Sequence, residues 1–181
     1  MFEETNRQFQ EMVREDRERR AEMDRRFQDT DRKIKEMSKN MDRLGGRLGE
    51  FVEGLVAPAC KTLFAERGIP VHMVSRRVSA TLPDGRNMEV DLLVDNTDSV
   101  VLVEVKSKLT VDDVRDHLEK MSNFKAFIPL YANKKAVGAV AAMVIEENVC
   151  RFAINGGLFV IEQAGETLRM ANDEQFQPKV W

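Results

Sequence analysis

The sequence predicts an α/β protein, a mixed central sheet flanked by helices, with a coiled-coil helix at its N-terminus. Three observations predict it. Residues 1–43 hold twelve basic and twelve acidic side chains and no Pro or Gly, the composition of a long solvated helix. Residues 71–108 read as three successive strands separated by turn signals. From residue 110 onward helical and strand patterns alternate, as they do where helices pack on the faces of a sheet. A chain of 181 residues suits one ordinary domain plus an extension. The expected division is a coiled-coil oligomerisation helix over 1–46 and a globular domain over 47–181.

In the first segment, Asn6, Val13, Arg20, Phe27, Ile34, Met41, Leu48 and Leu55 form a series of a positions. Phe2, Phe9, Asp16, Met23, Thr30, Met37, Leu44 and Phe51 then fall at d. Twelve of these sixteen residues are apolar, and their steps alternate between three and four, which is the seam of a coiled coil. Asn6, Asp16, Arg20 and Thr30 interrupt it. The alternative is an amphipathic helix folded back on its own domain, but so long and charged a helix finds little surface to cover. Self-association is expected, with a dimer favoured. The glycines of "LGGRLGEFVEGLV" fall where the seam enters the globular part. Each costs up to about 1 kcal/mol against Ala in a helix interior, so a hinge or a close helix contact is expected there. Leu48, Phe51, Val52, Leu55, Val56, Leu63 and Phe64 continue at helical spacing, with Pro58 a candidate kink, until "RGIP" ends the element.

"VHMVSRRVSATL" is a strand bounded by Pro70 and the turn "PDGRN", and "NMEVDLLVD" and "SVVLVEVKSK" are the next two. "TVDDVRDHLEKMSNF" reads as a helix capped by Thr110, with Asp112 and Asp113 in its first turn and an apolar stripe of Val111, Val114, Leu118 and Met121. A buried strand "KKAVGAVAAMVI", a helix "EENVCRFAIN" and strands "GGLFVIEQ" and "ETLRMAN" complete the order.

The central hairpin places charge among apolar residues. With "NTDS" as a four-residue loop, Asp95 pairs with Val100, Val94 with Val101, and Asp91 falls opposite Glu104. The period of two then sets Glu89, Asp91, Glu104 and Lys106 on one face, and Val90, Leu92, Val103 and Val105 on the other. Opposed Cβ atoms lie about 5 Å apart and like charges there repel, so such an acid pair calls for a cation. Lys106 supplies one charge; a divalent metal supplies two. In the metal reading Asp91 and Glu104 hold Mg²⁺, the Val105 carbonyl adds a third oxygen, and Lys106 orients or helps deprotonate an attacking water. In the other reading the same residues are a cross-strand ion-pair cluster on a half-solvated face. On the residues alone both stay open.

The arrangement "EVD", thirteen residues from Asp91 to Glu104, and then "EVK" before a helix resembles the PD-(D/E)XK nuclease superfamily, which includes restriction endonucleases and Holliday-junction resolvases. The likeness covers about residues 47–165 and implies a restriction-endonuclease-like α-β-β-β-α-β core. Asp91 matches the superfamily aspartate, and Glu104 and Lys106 its E-x-K pair. Val90 stands where the naming proline would be. The superfamily's glutamate on the first core helix is matched by Glu53, with Glu50 next. The charged N-terminal helix, "GRLGEFVEGLV", "VEVKSK" and "GGLFVI" further resemble a little-characterised bacterial family of coiled-coil proteins with nuclease-like domains. The resemblance implies Mg²⁺-dependent hydrolysis of DNA phosphodiesters, with Mn²⁺ an alternative metal and RNA an alternative substrate. The competing classes are a non-catalytic assembly module and a nuclease-like domain that binds nucleic acid without cutting it.

The net charge of −3 gives no overall electrostatic footprint for nucleic acid, so such binding requires a local basic patch. Arg76, Arg77 and Arg86 flank the candidate site and Lys108 continues the parity of Lys106. His72 and His117 lack a metal-ligand spacing, although His117 and Lys120 lie on the helix after Lys106. Cys60 and Cys150 are too few for a disulfide framework and read as buried thiols. No phosphate-binding glycine loop, G-x-S-x-G elbow or H-E-x-x-H helix is present. The absence of a signal-peptide pattern or a membrane-length apolar run leads to the expectation of a cytoplasmic protein.

Overall fold

The computed structural model describes the backbone of residues 2–181; in the N-terminal helical region it describes the side chains of 12, 14, 17, 19, 20, 22–40, 46, 49, 51 and 52, and every side chain from 54 onward. Two compact units divide the chain, Met1–Arg47 and Leu48–Trp181. The first is helical throughout its described length, as part of α1 (Phe2–Phe51). Along it Met23, Phe27, Ile34 and Met37 are each more than half exposed, at 58, 68, 55 and 62%. The seam positions Phe2, Asn6, Phe9, Val13, Asp16, Met41, Leu44 and Leu48 lie outside the described side chains.

The glycines do not break α1. The irregularity comes later, as a π turn at Val52–Val56 where the Ala57 N–H donates to the carbonyl of Val52, five residues back. Pro58 lies in the first turn of α2 (Ala57–Ala65). Having no N–H to donate, it is accommodated where the hydrogen-bond step widens. The expected close contact is absent at Gly49 and Gly54, where an added Cβ would meet nothing among the described residues. Phe51 is buried in the globular core and Leu55 packs against it, so the apolar seam stops short of these two residues. No described helix is long and apolar enough to cross a membrane.

In the second unit a six-stranded mixed sheet runs in sequence order: β1 (Met73–Thr81), β2 (Asn87–Asp95), β3 (Ser99–Leu109), β4 (Lys135–Ile145), β5 (Phe159–Ala164) and β6 (Thr167–Met170). β1, β2 and β3 form an antiparallel meander, β3, β4 and β5 are parallel, and β6 turns back antiparallel. The two parallel steps require crossovers, supplied by α3 (Val111–Phe127) and α4 (Glu147–Asn155). Both cover one face of the sheet, where Leu102, Val140, Leu158 and Val160 meet Val114, Met121, Phe124 and Ala153. The other face packs Val94, Val101, Val103, Ala139 and Phe159 against Phe51, Cys60, Leu63 and Phe64. Burial pushes the Cys60 thiol up to about 12, while Cys150 is only half-buried.

Asn96 shapes the β2–β3 loop by accepting the N–H groups of Asp98 and Ser99, each at 2.8 Å. The register follows, with Asp95 opposite Val100 and Val94 opposite Val101. The expected pairing and facing fail at Asp91: the β2–β3 ladder ends before Asp91 can pair with Glu104, and Val90 does not share a face with Leu92, Val103 and Val105. Val90 and Leu92 lie on opposite faces, Val90 with Leu93, Met121 and Phe124, and Leu92 with Val103 and Val105. The alternation breaks at Asp91. There β1–β2 pairing skips from Arg76↔Leu92 to Val78↔Val90, and β2–β3 pairing ends at Leu92↔Val103. Arg77, the residue of β1 at the skipped position, has φ 48°, a left-handed conformation that costs a non-glycine residue about 1–2 kcal/mol.

Close packing under α3 is set by Gly138 of β4, where a methyl would overlap Leu158 Cδ2 and press on Met121. Gly138→Ala is expected to destabilise the fold by about 1–3 kcal/mol, as overpacking does; an unchanged urea midpoint would show that the layer yields without strain.

Candidate active site in the opened hairpin

Where β2 loses its ladder partners, the Asp91 side chain crosses the gap. Its Oδ2 accepts the Val105 N–H at 2.7 Å, giving the strand donor an acceptor where the ladder carbonyl is missing. In an extended strand a residue's N–H and C=O project to the same side. The Val105 carbonyl therefore shares the open side of β3 with Asp91.

Glu104 is next on the same strand and almost buried, at 9% exposure. Lys106 Nζ lies 3.0 Å from its Oε1 and Lys120 Nζ 2.5 Å from its Oε2. Lys106 also faces Asp113 Oδ1 at 3.9 Å. The position of Asp113 follows from the start of α3, where Thr110 and Asp113 form a capping box. That cap ties the first turn of the helix to the charged cluster.

The protonation states follow from burial and partners. Burial raises the Asp91 pKa, and the nearby Glu104 charge adds to it, against the Val105 N–H and the two lysines. Burial would also raise Glu104, but the bonds from Lys120 and Lys106 outweigh it and hold Glu104 below its ordinary value. Lys106 loses some basicity to burial, yet Glu104, Asp113 and Asp91 together raise it above its ordinary value. The lysine is a firm cation. His117 closes the floor: its Nε2 donates to the Leu102 carbonyl at 3.2 Å, and its Nδ1 is buried without a hydrogen-bond partner, 3.8 Å from Glu104 Oε2. Burial lowers His117 to about 4, so it is neutral at pH 7.

The donor set fits a hard divalent cation. Asp91 Oδ1 takes part in no hydrogen bond among the described residues, Glu104 lies beside it, and the Val105 carbonyl shares the side. Mg²⁺ and Mn²⁺ accept such oxygen ligands, and Mg²⁺ binds through one or two carboxylates while keeping waters or phosphate oxygens. A closed all-protein cage is a different matter: no group of three or more His, Cys, Asp or Glu among the described residues is placed to hold a metal.

Thus Asp91, Glu104 and Lys106 come together. Glu89 is exposed on β2 opposite Ser79, and the side chains of Glu53 and Glu50 lie outside the described residues. Lys108 pairs at the surface with Glu146 at 2.7 Å, and Arg86 bonds Asp84 within its turn at 2.8 Å. His72 lines a hollow of about 630 Å³ with Arg67, Asn96 and Lys135, and a second hollow of about 1030 Å³ lies between α2 and β6. Asp91, Glu104 and Lys106 line neither of them. Lys120 and His117, which carried no motif, turn out to face Glu104. The signal for His117 was its place in the buried stripe Val114, His117, Met121, Phe124, a polar side chain on the face that meets the sheet.

No family model and no curated protein matches the chain. A solved structure described as "Structure of EndoMS-dsDNA2 complex" is similar with a TM-score of 0.39 and 16% identity over 61% of the chain. The chain spans 44% of the length of that protein.

Protonating His117 costs more in the fold than in the unfolded chain. Its contribution to stability is complete above pH 6.5 and is lost as pH falls toward about 4, about 3 kcal/mol in all from the size of the shift. Asp91, held above its ordinary value, acts with the opposite sign, so the comparison is between the parent and His117→Gln. The parent should lose stability between pH 6.5 and 4 in urea titrations and the variant should show a flatter profile; identical profiles would remove His117 as the cause.

Proposed function

We propose that Asp91, Glu104 and Lys106 form a cation-dependent phosphodiesterase site that acts on DNA, carried on chains joined through their N-terminal helices. The observation that carries this reading is the opened strand pair. It brings two carboxylates together in a half-buried position, leaves one Asp91 oxygen uncommitted, and sets a protonated lysine beside them. The match of these three positions to the superfamily motif supports it.

Asp91, Glu104 and the Val105 carbonyl would hold Mg²⁺ or Mn²⁺, which when bound supplies Lewis-acid polarisation of a phosphate. The other roles belong to the chain. Lys106 is held protonated by its acidic neighbours, so it orients water and counters charge on phosphoryl oxygens rather than accepting a proton. The Val105 N–H fixes the Asp91 carboxylate. Lys120 neutralises Glu104 on the side facing α3. RNA phosphodiesters offer the same reacting group.

One observation favours a second reading, a structural ion-pair cluster. Both Glu104 oxygens are already held by lysines, so this carboxylate is charge-paired without a metal. Mn²⁺ calorimetry and cleavage assays on duplex, single-stranded and branched DNA decide between the two. The catalytic reading expects cation binding, and cleavage that falls at least about a hundredfold in Asp91→Ala and Lys106→Ala with the circular dichroism unchanged. Cleavage persisting in both variants would sink the assignment, and a parent that neither binds the cation nor cuts would establish the ion-pair cluster. Lys120→Met provides a further discrimination. Removing the competing ammonium should tighten Mn²⁺ binding if Glu104 is a ligand and leave it unchanged otherwise.

A further inference from the structure

We infer that the N-terminal helix pairs with a second copy of itself in a parallel, in-register coiled coil. This inference rests on the self-association reading of α1. Its apolar stripe is open in the single chain: Met23, Phe27, Ile34 and Met37 are each more than half exposed. The seam leaves the orientation open, and the flanking charges decide it. With the heptad frame set by Phe27 and Ile34 at a, Arg19, Arg26 and Lys33 fall at g, and Asp24 and Asp31 at e.

In a parallel pair each g residue faces the e residue five positions on in the partner. Arg19 then meets the partner's Asp24, and Arg26 the partner's Asp31, each twice by symmetry. Every other g–e contact along the helix, such as Lys33 with Ser38 or Met12 with Arg17, includes at least one uncharged residue, so no like charges are opposed at these flanking positions; within the seam Asp16 and Arg20 each face their own copy, one helical turn apart, where each lies near the other's opposite charge. Within its own helix Arg26 is bonded to Glu22 at 2.7 Å and Lys33 to Asp29 at 3.1 Å. Asp24 and Asp31 are exposed and take no ion pair among the described residues. They are available to a partner.

An antiparallel pair sets g against g and e against e. The charged g residues are all basic, so that arrangement juxtaposes cations. Its best seam register puts Arg20 opposite Asp16, Phe27 opposite Phe9 and Ile34 opposite Phe2. That register also brings Arg19 against Arg19, and it leaves Met37, Met41 and Leu44 beyond the end of the partner. The polar a residues Asn6 and Arg20 suit two strands, in which such positions are partly solvated and fix register.

The test uses the full chain carrying Thr30→Cys and Cys150→Ser, with the buried Cys60 retained. Mass is measured by light scattering, and disulfides formed in a glutathione buffer are mapped by peptide mass. The expected result is a dimer in which the thiol introduced by Thr30→Cys is linked to its own copy in the partner chain. Arg26→Asp should weaken the dimer on the order of tenfold, and adding Asp31→Arg should restore it. A dimer that lacks this symmetric link, and in which mixed Val13→Cys and Met23→Cys chains link to each other, overturns the orientation and leaves self-association standing. A monomeric parent overturns both.

Discussion

The hydrogen bond from the Val105 N–H to Asp91 is the contact on which the charged cluster depends. A central strand normally satisfies each N–H through its neighbour's carbonyl, and a strand pair that opens must find a substitute or leave a buried donor without a partner. Here the substitute is a carboxylate, so the repair and the site are the same event. The opening exists because β1 is also irregular at this level, with Arg77 in a left-handed conformation and the pair to Asp91 missing. Loss of pairing on both sides lets β2 reverse which residues face which layer, and Asp91 stands at the reversal.

Helix α3 secures the cluster from the other direction. Its capping box places Asp113 near Lys106, its buried stripe delivers His117 to Glu104, and Lys120 reaches the same carboxylate from the stripe's partly buried edge. A carboxylate this enclosed is costly to ionise unless cations meet it, and two lysines do. Lys120 and Lys106 together keep Glu104 charged, and Glu104 in turn keeps Lys106 protonated. The balance makes the cluster stable as it stands, while the uncommitted Asp91 oxygen leaves it one position able to accept a ligand.

The layering explains why so apolar a sheet can hold this charge. Parallel strands β3, β4 and β5 are covered on both faces, as parallel sheets require. Glu104 and Lys106 lie past the last β2–β3 pair, where cover from β2 ends and the helix α3 provides a lysine instead of methyl groups. The small residues of β4, with Gly138 under Leu158 and Met121, bring α3 close enough for Lys120 to reach.

The local sequence set the element order, because hydrophobic period, the Thr110 cap and the turn signals are local properties. It also determined the hairpin register, since a four-residue loop leaves only one pairing for Asp95 and Val94. The spacing of Asp91, Glu104 and Lys106 was legible in the chain, but the opening of the ladder that turns Asp91 to the Val105 N–H was not. The tertiary structure alone decided the rest. Strict alternation put Val90 and Leu92 on one face, and only the unpaired position opposite Arg77 reverses them. Whether Phe51 belongs to a seam or a core depends on what lies against it, and a period does not reveal that. Lys120 and His117 stand sixteen and thirteen positions beyond Glu104 in the chain, and they reach it by helix packing across the sheet, a contact that has no signature in local sequence.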